Sequence, residues 1–169
     1  MEVADRVVLI TGASSGVGAA LATQLADMGA RVVVNYSRSA EAAEAVVEQI
    51  TGAGGQALAV QADVSEEADC KRLVATTVEH FGQLDVLVNN AGTTTFVPHD
   101  QLDALTEDIW LRTLRVNLIG AFMMSREAAP HIEAAGGGVR RWGGAGARGA
   151  PRSCGSTASS PRISALSAP

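Results

Sequence analysis

Two spacings of apolar residues alternate along the chain as far as Ala135. Val7-Val8-Leu9-Ile10, Arg31-Val32-Val33-Val34-Asn35-Tyr36, Ala57-Leu58-Ala59-Val60-Gln61 and Leu84-Asp85-Val86-Leu87-Val88-Asn89 are short, nearly continuous apolar runs. Runs of that length predict strands buried on both faces. Between them the apolar residues step by three and four, the spacing of one helical face. Val17, Leu21, Leu25 and Met28 predict a first helix closed by Gly29. Ala43, Val46, Val47 and Ile50 predict a second, ended by Thr51-Gly52-Ala53-Gly54-Gly55. Cys70, Val74, Val78 and Phe81 predict a third, with Ser65 as its N-cap and Glu66 and Glu67 in its first turn. A long helical region from about Thr106 to Ala135 carries Leu111, Leu114, Leu118 and Phe122. Strands and helices in alternation predict an α/β fold, a doubly wound parallel sheet with helices on both faces.

The pattern changes near Gly136-Gly137-Gly138. Residues 1–138 hold all 18 acidic residues and a balance of −10, whereas residues 139–169 hold five arginines, no acid and a balance of +5. The second stretch is also rich in Gly, Ser, Pro and Ala, and Val139-Arg140-Arg141-Trp142 makes a poor buried fifth strand. The expected organisation is therefore one domain over 1–138 and a poorly ordered tail over 139–169.

A net charge of −5 argues against nucleic acid as a partner. The apolar runs fall well short of the ~20 residues that cross a bilayer, so no membrane partner is expected. The N-terminus has no basic stretch leading into an apolar one, and no secretory signal is expected. Cys70 and Cys154 make neither a disulfide framework nor a metal-ligand set, which suits a reducing cytoplasm.

Candidate chemistry lies where the strands end, because ligands of such sheets bind beyond the carboxyl ends of the strands. The first strand runs into Thr11-Gly12-Ala13-Ser14-Ser15-Gly16-Val17-Gly18 and then a helix. Glycines there let a dinucleotide pyrophosphate approach the backbone, and the helix start offers N–H donors to it. Gly12, Ser14, Ser15, Gly16, Val17 and Gly18 are the candidate phosphate contacts. After the second strand, Asn35-Tyr36-Ser37-Arg38 lacks the acidic residue that would bind the ribose hydroxyls of NAD. Arg38 with Ser37 and Asn35 suits a 2′-phosphate instead, although an arginine there can equally be a solvated surface residue. Asp63-Val64 follows the third strand and Asn89-Asn90-Ala91-Gly92 the fourth. Asp63 can be a cofactor contact or a helix cap, and Asn90-Ala91-Gly92 a cofactor contact, a turn, or both. Asn117, within an apolar helical stretch, must find hydrogen-bond partners if buried.

The series Thr11–Gly18, Asp63-Val64, Asn89–Gly92 and Val116-Asn117, with Thr93–His99 after it, resembles the short-chain dehydrogenase/reductase family in motif and spacing over about the first 138 residues. The resemblance implies a Rossmann-like fold and a nicotinamide dinucleotide, with NADP(H) favoured over NAD(H) by Arg38. It implies hydride transfer to a small carbonyl or from a secondary alcohol. It places Asp63-Val64 near the adenine, has Asn90-Ala91-Gly92 brace the sheet beside the cofactor, and has Asn117 bend its helix and hold a water of the proton relay. The counterpart of residues 106–135 packs between subunits in the family, so a homo-oligomer is an expectation.

The family completes its site with a serine, a tyrosine thirteen residues on and a lysine four further. This chain has one tyrosine, Tyr36, and one lysine, Lys71, neither in that place. Laid on the family frame, Gly143, Ser156 and Ser160 stand at the serine, tyrosine and lysine positions, and Pro161 falls within the counterpart of the catalytic helix. The later strands and the substrate-capping segment of family members are also expected to be missing. An out-of-frame reading of a GC-rich gene, a decayed enzyme and a genuine short variant each account for this; a damaged or mis-read gene fits the composition best. Two functions follow: an oxidoreductase lineage inactive as written, or a catalytically silent nucleotide- or partner-binding protein.

Overall fold

The structure, a computed structural model, describes residues 3–136. The expected fifth strand, the expected tail over 139–169 and the positions Gly143, Ser156 and Ser160 lie outside the described residues.

Four parallel strands, β1 (Val7–Ile10), β2 (Arg31–Tyr36), β3 (Gln56–Gln61) and β4 (Val86–Val88), line up in the order β3-β2-β1-β4. Helices α1 (Gly16–Asp27), α2 (Ala40–Gly52) and α3 (Glu67–Phe81) connect them. After β4 the chain enters α4 (Glu107–Leu114), a π-helical segment (Arg115–Gly120) and α5 (Ala121–Ala134) in continuous succession. The chain thus winds outward from β1 through β2 to β3, then returns to the other side of β1. That reversal opens a crevice at the carboxyl ends of β1 and β4.

Successive side chains of β1 point to opposite faces. Val8 and Ile10 join Ala22, Ala26, Ala43, Val46 and Ile50 under α1 and α2. Val7 and Leu9 join Leu73, Val74, Met124, Ala128 and Ile132 under α3 and α5. Burial on both faces is what the unbroken apolar strands require.

Four local expectations are corrected. On α1, Val17 is 78% exposed and Met28 59%; the packed face is Gly18, Ala22 and Ala26, small residues that let the helix lie close to the sheet. Ser65 does not cap α3, which starts after Glu66; its hydroxyl donates to Asp63 instead (2.7 Å). The fourth strand is shorter than its apolar run, since Leu84 and Asp85 precede it and Asn89 follows it. In the long helical region, Leu111, Leu114, Leu118 and Phe122 are all exposed, and Val116, Gly120, Met123, Met124, Ala128 and Ile132 are the buried residues.

A buried carboxylate holds the amino end of the sheet. The Asp85 carboxylate accepts from Val7 N–H (2.8 Å), Arg6 (2.7 Å) and Gln83 (2.7 Å). Burial alone would raise its pKa; these donors outweigh that and hold it below the ordinary carboxylate value. Cys70, buried on α3, has its thiol pushed up to about 11, first by burial and then by the Asp69, Glu127 and Asp63 charges. No helix among the described residues is long and apolar enough to cross a membrane.

Candidate functional site

A cleft of about 400 Å³ opens at the carboxyl ends of the strands. Gly12, Ser14 and Ser15 line it from the turn after β1, and Asn35 to Ser39 from the end of β2. Ala62, Asp63 and Val64 contribute from beyond β3, and Asn90 to Thr93 from beyond β4. Arg112 and Val116 reach in from α4 and the π segment. Most residues named from the sequence therefore converge. Gly16 and Val17 are exposed at the start of α1 and Gly18 is buried; none of the three belongs to the wall. A smaller hollow of about 270 Å³, between Asp5, Gly29, Gly54 and Gln56, lies at the opposite end of the strands.

The start of α1 is built for an anion. Ser15 stands at its N-cap without a side-chain cap bond, and no acidic residue lies in its first turn. The first N–H groups of a helix have no acceptor within it, so these donors, with the helix dipole, suit a phosphate.

Amide side chains set the shape of the glycine turn. Asn90 Nδ2 donates to the carbonyls of Thr11 (2.9 Å) and Gly12 (3.0 Å). Thr11 Oγ1 accepts the N–H groups of Asn90 and Ala91, both at 3.0 Å. Gly12 has φ +63°, and a Cβ there would lie 2.8 Å from Ala91 Cα. At Gly18 a Cβ would lie 2.5 Å from Asn90 Nδ2. Only glycine allows the first turn and the turn after β4 to approach this closely. Asn35 is 2% exposed. Its Oδ1 accepts Gly12 N–H (3.1 Å), and its Nδ2 donates to the carbonyls of Val60 (3.2 Å) and Ala62 (3.1 Å). It lines the cleft, but its amide is committed to the protein.

Asp63 is fixed from within. Its Oδ1 accepts both the N–H (2.9 Å) and the hydroxyl (2.7 Å) of Ser65, so it shapes the turn before α3. Burial would raise its pKa, but the Ser65 bonds, then the charges of Arg112 and Arg38, bring it below the usual carboxylate value. The side chains of Arg38 and Arg112 line the cleft and enter no ion pair among the described residues.

Asn117 lies in the π segment and is exposed. Its Oδ1 accepts Thr93 N–H (2.8 Å) and its Nδ2 donates to Thr93 C=O (2.9 Å), a two-point clasp on the loop beyond β4. Asn89 makes the neighbouring link, donating to Ala121 C=O (3.3 Å) and Ser125 Oγ (3.0 Å). The helix does depart from α geometry at Asn117, and a π turn of this kind is frequent at functional sites.

Sequence reasoning missed Tyr36, Ser39, Ala62, Thr93, Arg112 and Val116 as wall residues. Arg112 and Val116 are four residues apart and so share a helical face, but nothing local says that this face meets the cleft. Tyr36 ends β2 in the wall. Lys71 is an exposed residue of α3, paired with Glu67 at 2.9 Å, outside the wall.

The family described as short chain dehydrogenase matches residues 6–139. Versicolorin reductase 1 of Aspergillus parasiticus is 47% identical over 131 residues, 78% of this chain and 49% of that protein. The short-chain dehydrogenase/reductase homolog YusS of Bacillus subtilis is 48% identical over 109 residues, 64% of this chain and 100% of that protein. A short chain dehydrogenase from Burkholderia cenocepacia, solved in complex with NADP, is similar with a TM-score of 0.72 at 40% identity, over 78% of this chain and 53% of that one. The chain spans about half the length of curated relatives such as versicolorin reductase 1.

Proposed function

The chain belongs to the short-chain dehydrogenase/reductase family, and on that premise we propose that its cleft binds NADP(H) in preference to NAD(H) and that this chain does not itself carry hydride transfer to completion. The observation that carries the cofactor reading is the end of β2. Ser37 and Arg38 line the cleft there, while Asn35 is turned inward on Gly12, Val60 and Ala62. No carboxylate stands at that strand end to take ribose hydroxyls or to repel a 2′-phosphate. The uncapped start of α1 supports the pyrophosphate.

When bound, the nicotinamide supplies or accepts a hydride. The chain must then move a proton to or from the substrate oxygen. Asn117 holds the loop at Thr93 in place and can position a water beside it, yet an amide is neither a useful acid nor a useful base. Gly143, Ser156 and Ser160 stand where the family resemblance puts serine, tyrosine and lysine. General acid catalysis typically contributes ~10²–10⁴-fold, and an unassisted serine hydroxyl is too weak an acid to replace a phenol beside a cation. The lineage reading is a reductase or dehydrogenase of small carbonyls and alcohols, of which this chain carries the cofactor-binding motifs.

Titration of the purified chain with NADPH and NADH tests the preference. Arg38→Ala should weaken NADPH by about 10- to 100-fold, the worth of a charged hydrogen bond, and leave NADH nearly unchanged. Equal losses for both would defeat the reading. NADPH oxidation with a panel of ketones and aldehydes tests the second half. Robust turnover, abolished by Asn117→Ala, would show that the chain is a working enzyme.

A partner-binding role is the second reading. Trp110, Leu111, Leu114, Leu118, Ile119 and Phe122, each 45–61% exposed, form an apolar surface along α4, the π segment and α5. The proposed occupant is a second copy of the chain.

A further inference from the structure

The geometry points to Arg112 as a base-recognising residue of the cleft, lying by its planar guanidinium over the adenine of a bound dinucleotide rather than pairing with a phosphate. This rests on the reading of the cleft as a dinucleotide site. Arg112 is the last-turn cation of α4 and one of two arginines in the wall, the other being Arg38 at the end of β2. Neither appears in an ion pair among the described residues. Asp63, the wall's carboxylate, is hydrogen-bonded by Ser65 and forms no ion pair with either arginine, although the charge of each reaches it.

The two arginines approach from different sides. Arg38 comes from the strand end, beside Ser37, where a ribose phosphate is met. Arg112 comes from the helix, one turn before Val116, which is 9% exposed and shares its face. Val116 in turn sits in the segment pressed on Val64, where a Cβ on Gly120 would lie 2.7 Å from the Val64 carbonyl oxygen. The Arg112 side of the cleft therefore combines apolar Val64 and Val116 with one planar cation. Such a surface suits a flat aromatic base, which packs on the valines and takes the guanidinium on its face. A phosphate would instead call for several convergent donors, which are found at the start of α1.

Calorimetric titration of the full chain with NADPH, NADH and ADP-ribose separates the possibilities. Arg112→Ala should weaken all three by the same factor, roughly 3- to 30-fold, and Arg112→Lys should be no better than the alanine variant, since charge without a plane does not stack. Arg115→Ala, which removes only an exposed contact to Glu66 at 4.0 Å, should bind as the parent does. Unchanged affinity in Arg112→Ala overturns the inference. So does a loss confined to NADPH, which would make Arg112 a phosphate contact, or full rescue by lysine. If the parent binds none of the three ligands, the dinucleotide reading fails and this inference fails with it.

Discussion

Asn35, Asn89, Asn90 and Asn117 each spend a side-chain amide on backbone at the carboxyl end of the sheet. The reason is stoichiometric. Where the strands stop, backbone N–H and C=O groups lose their ladder partners, and one amide supplies both donors and an acceptor within a few ångströms. The sequence points to these positions as important but not to the direction in which each amide faces: Asn35 reads as a cofactor contact, and in the cleft wall its amide clips the glycine turn. The carboxylate at the other end of the sheet carries a pH dependence. Asp85 titrates below its unfolded value of about 3.9. Its contribution is therefore fully present above that value and is lost as pH falls through the lower folded one. Asp85→Asn should lower stability at neutral pH by about 1–3 kcal/mol and flatten the loss of stability below about pH 4, as followed by chemical denaturation across pH. An acid limb identical to the parent's would show that Asp85 does not set it.

At the scale of elements, the strands and the helix faces of α2 and α3 were legible because each repeats one local spacing. α1 was misread, since a hydrophobic count favours large residues while close packing on a sheet favours Gly18, Ala22 and Ala26. The π segment was legible only as a bend expected at Asn117. Its position has a packing cause: Gly120 allows the helix to touch the backbone after β3, and a Cβ there would lie 2.7 Å from Val64 O and 3.2 Å from Arg115 O. Gly120→Ala should cost about 1–3 kcal/mol through overpacking. Because Val64 lines the cleft, the same change should also weaken dinucleotide binding. A thermal melt and a titration of one variant check both effects; an unaltered melting temperature would mean the helix can move aside freely.

At the scale of the whole molecule, the apolar surface running from Trp110 to Phe122 makes its own prediction. If it pairs copies of the chain, light scattering at micromolar concentration should give a dimer or larger assembly, and Leu118→Glu should give a monomer with an unchanged circular dichroism spectrum. A monomeric parent would exclude that pairing. The sequence by itself determined the alternation of strands and helices, the parallel sheet and the residues gathered at its carboxyl ends, because strand burial, helical periodicity and glycine turns are each encoded within a dozen neighbouring residues. Tertiary structure alone decided which face of the long helix is buried, that Arg112 reaches the cleft, that Asp63 is tied to Ser65 and that four asparagines hold backbone. Those outcomes depend on how elements separated by tens of residues pack across the sheet, and the spacing of residues along a single element carries no record of what lies opposite it.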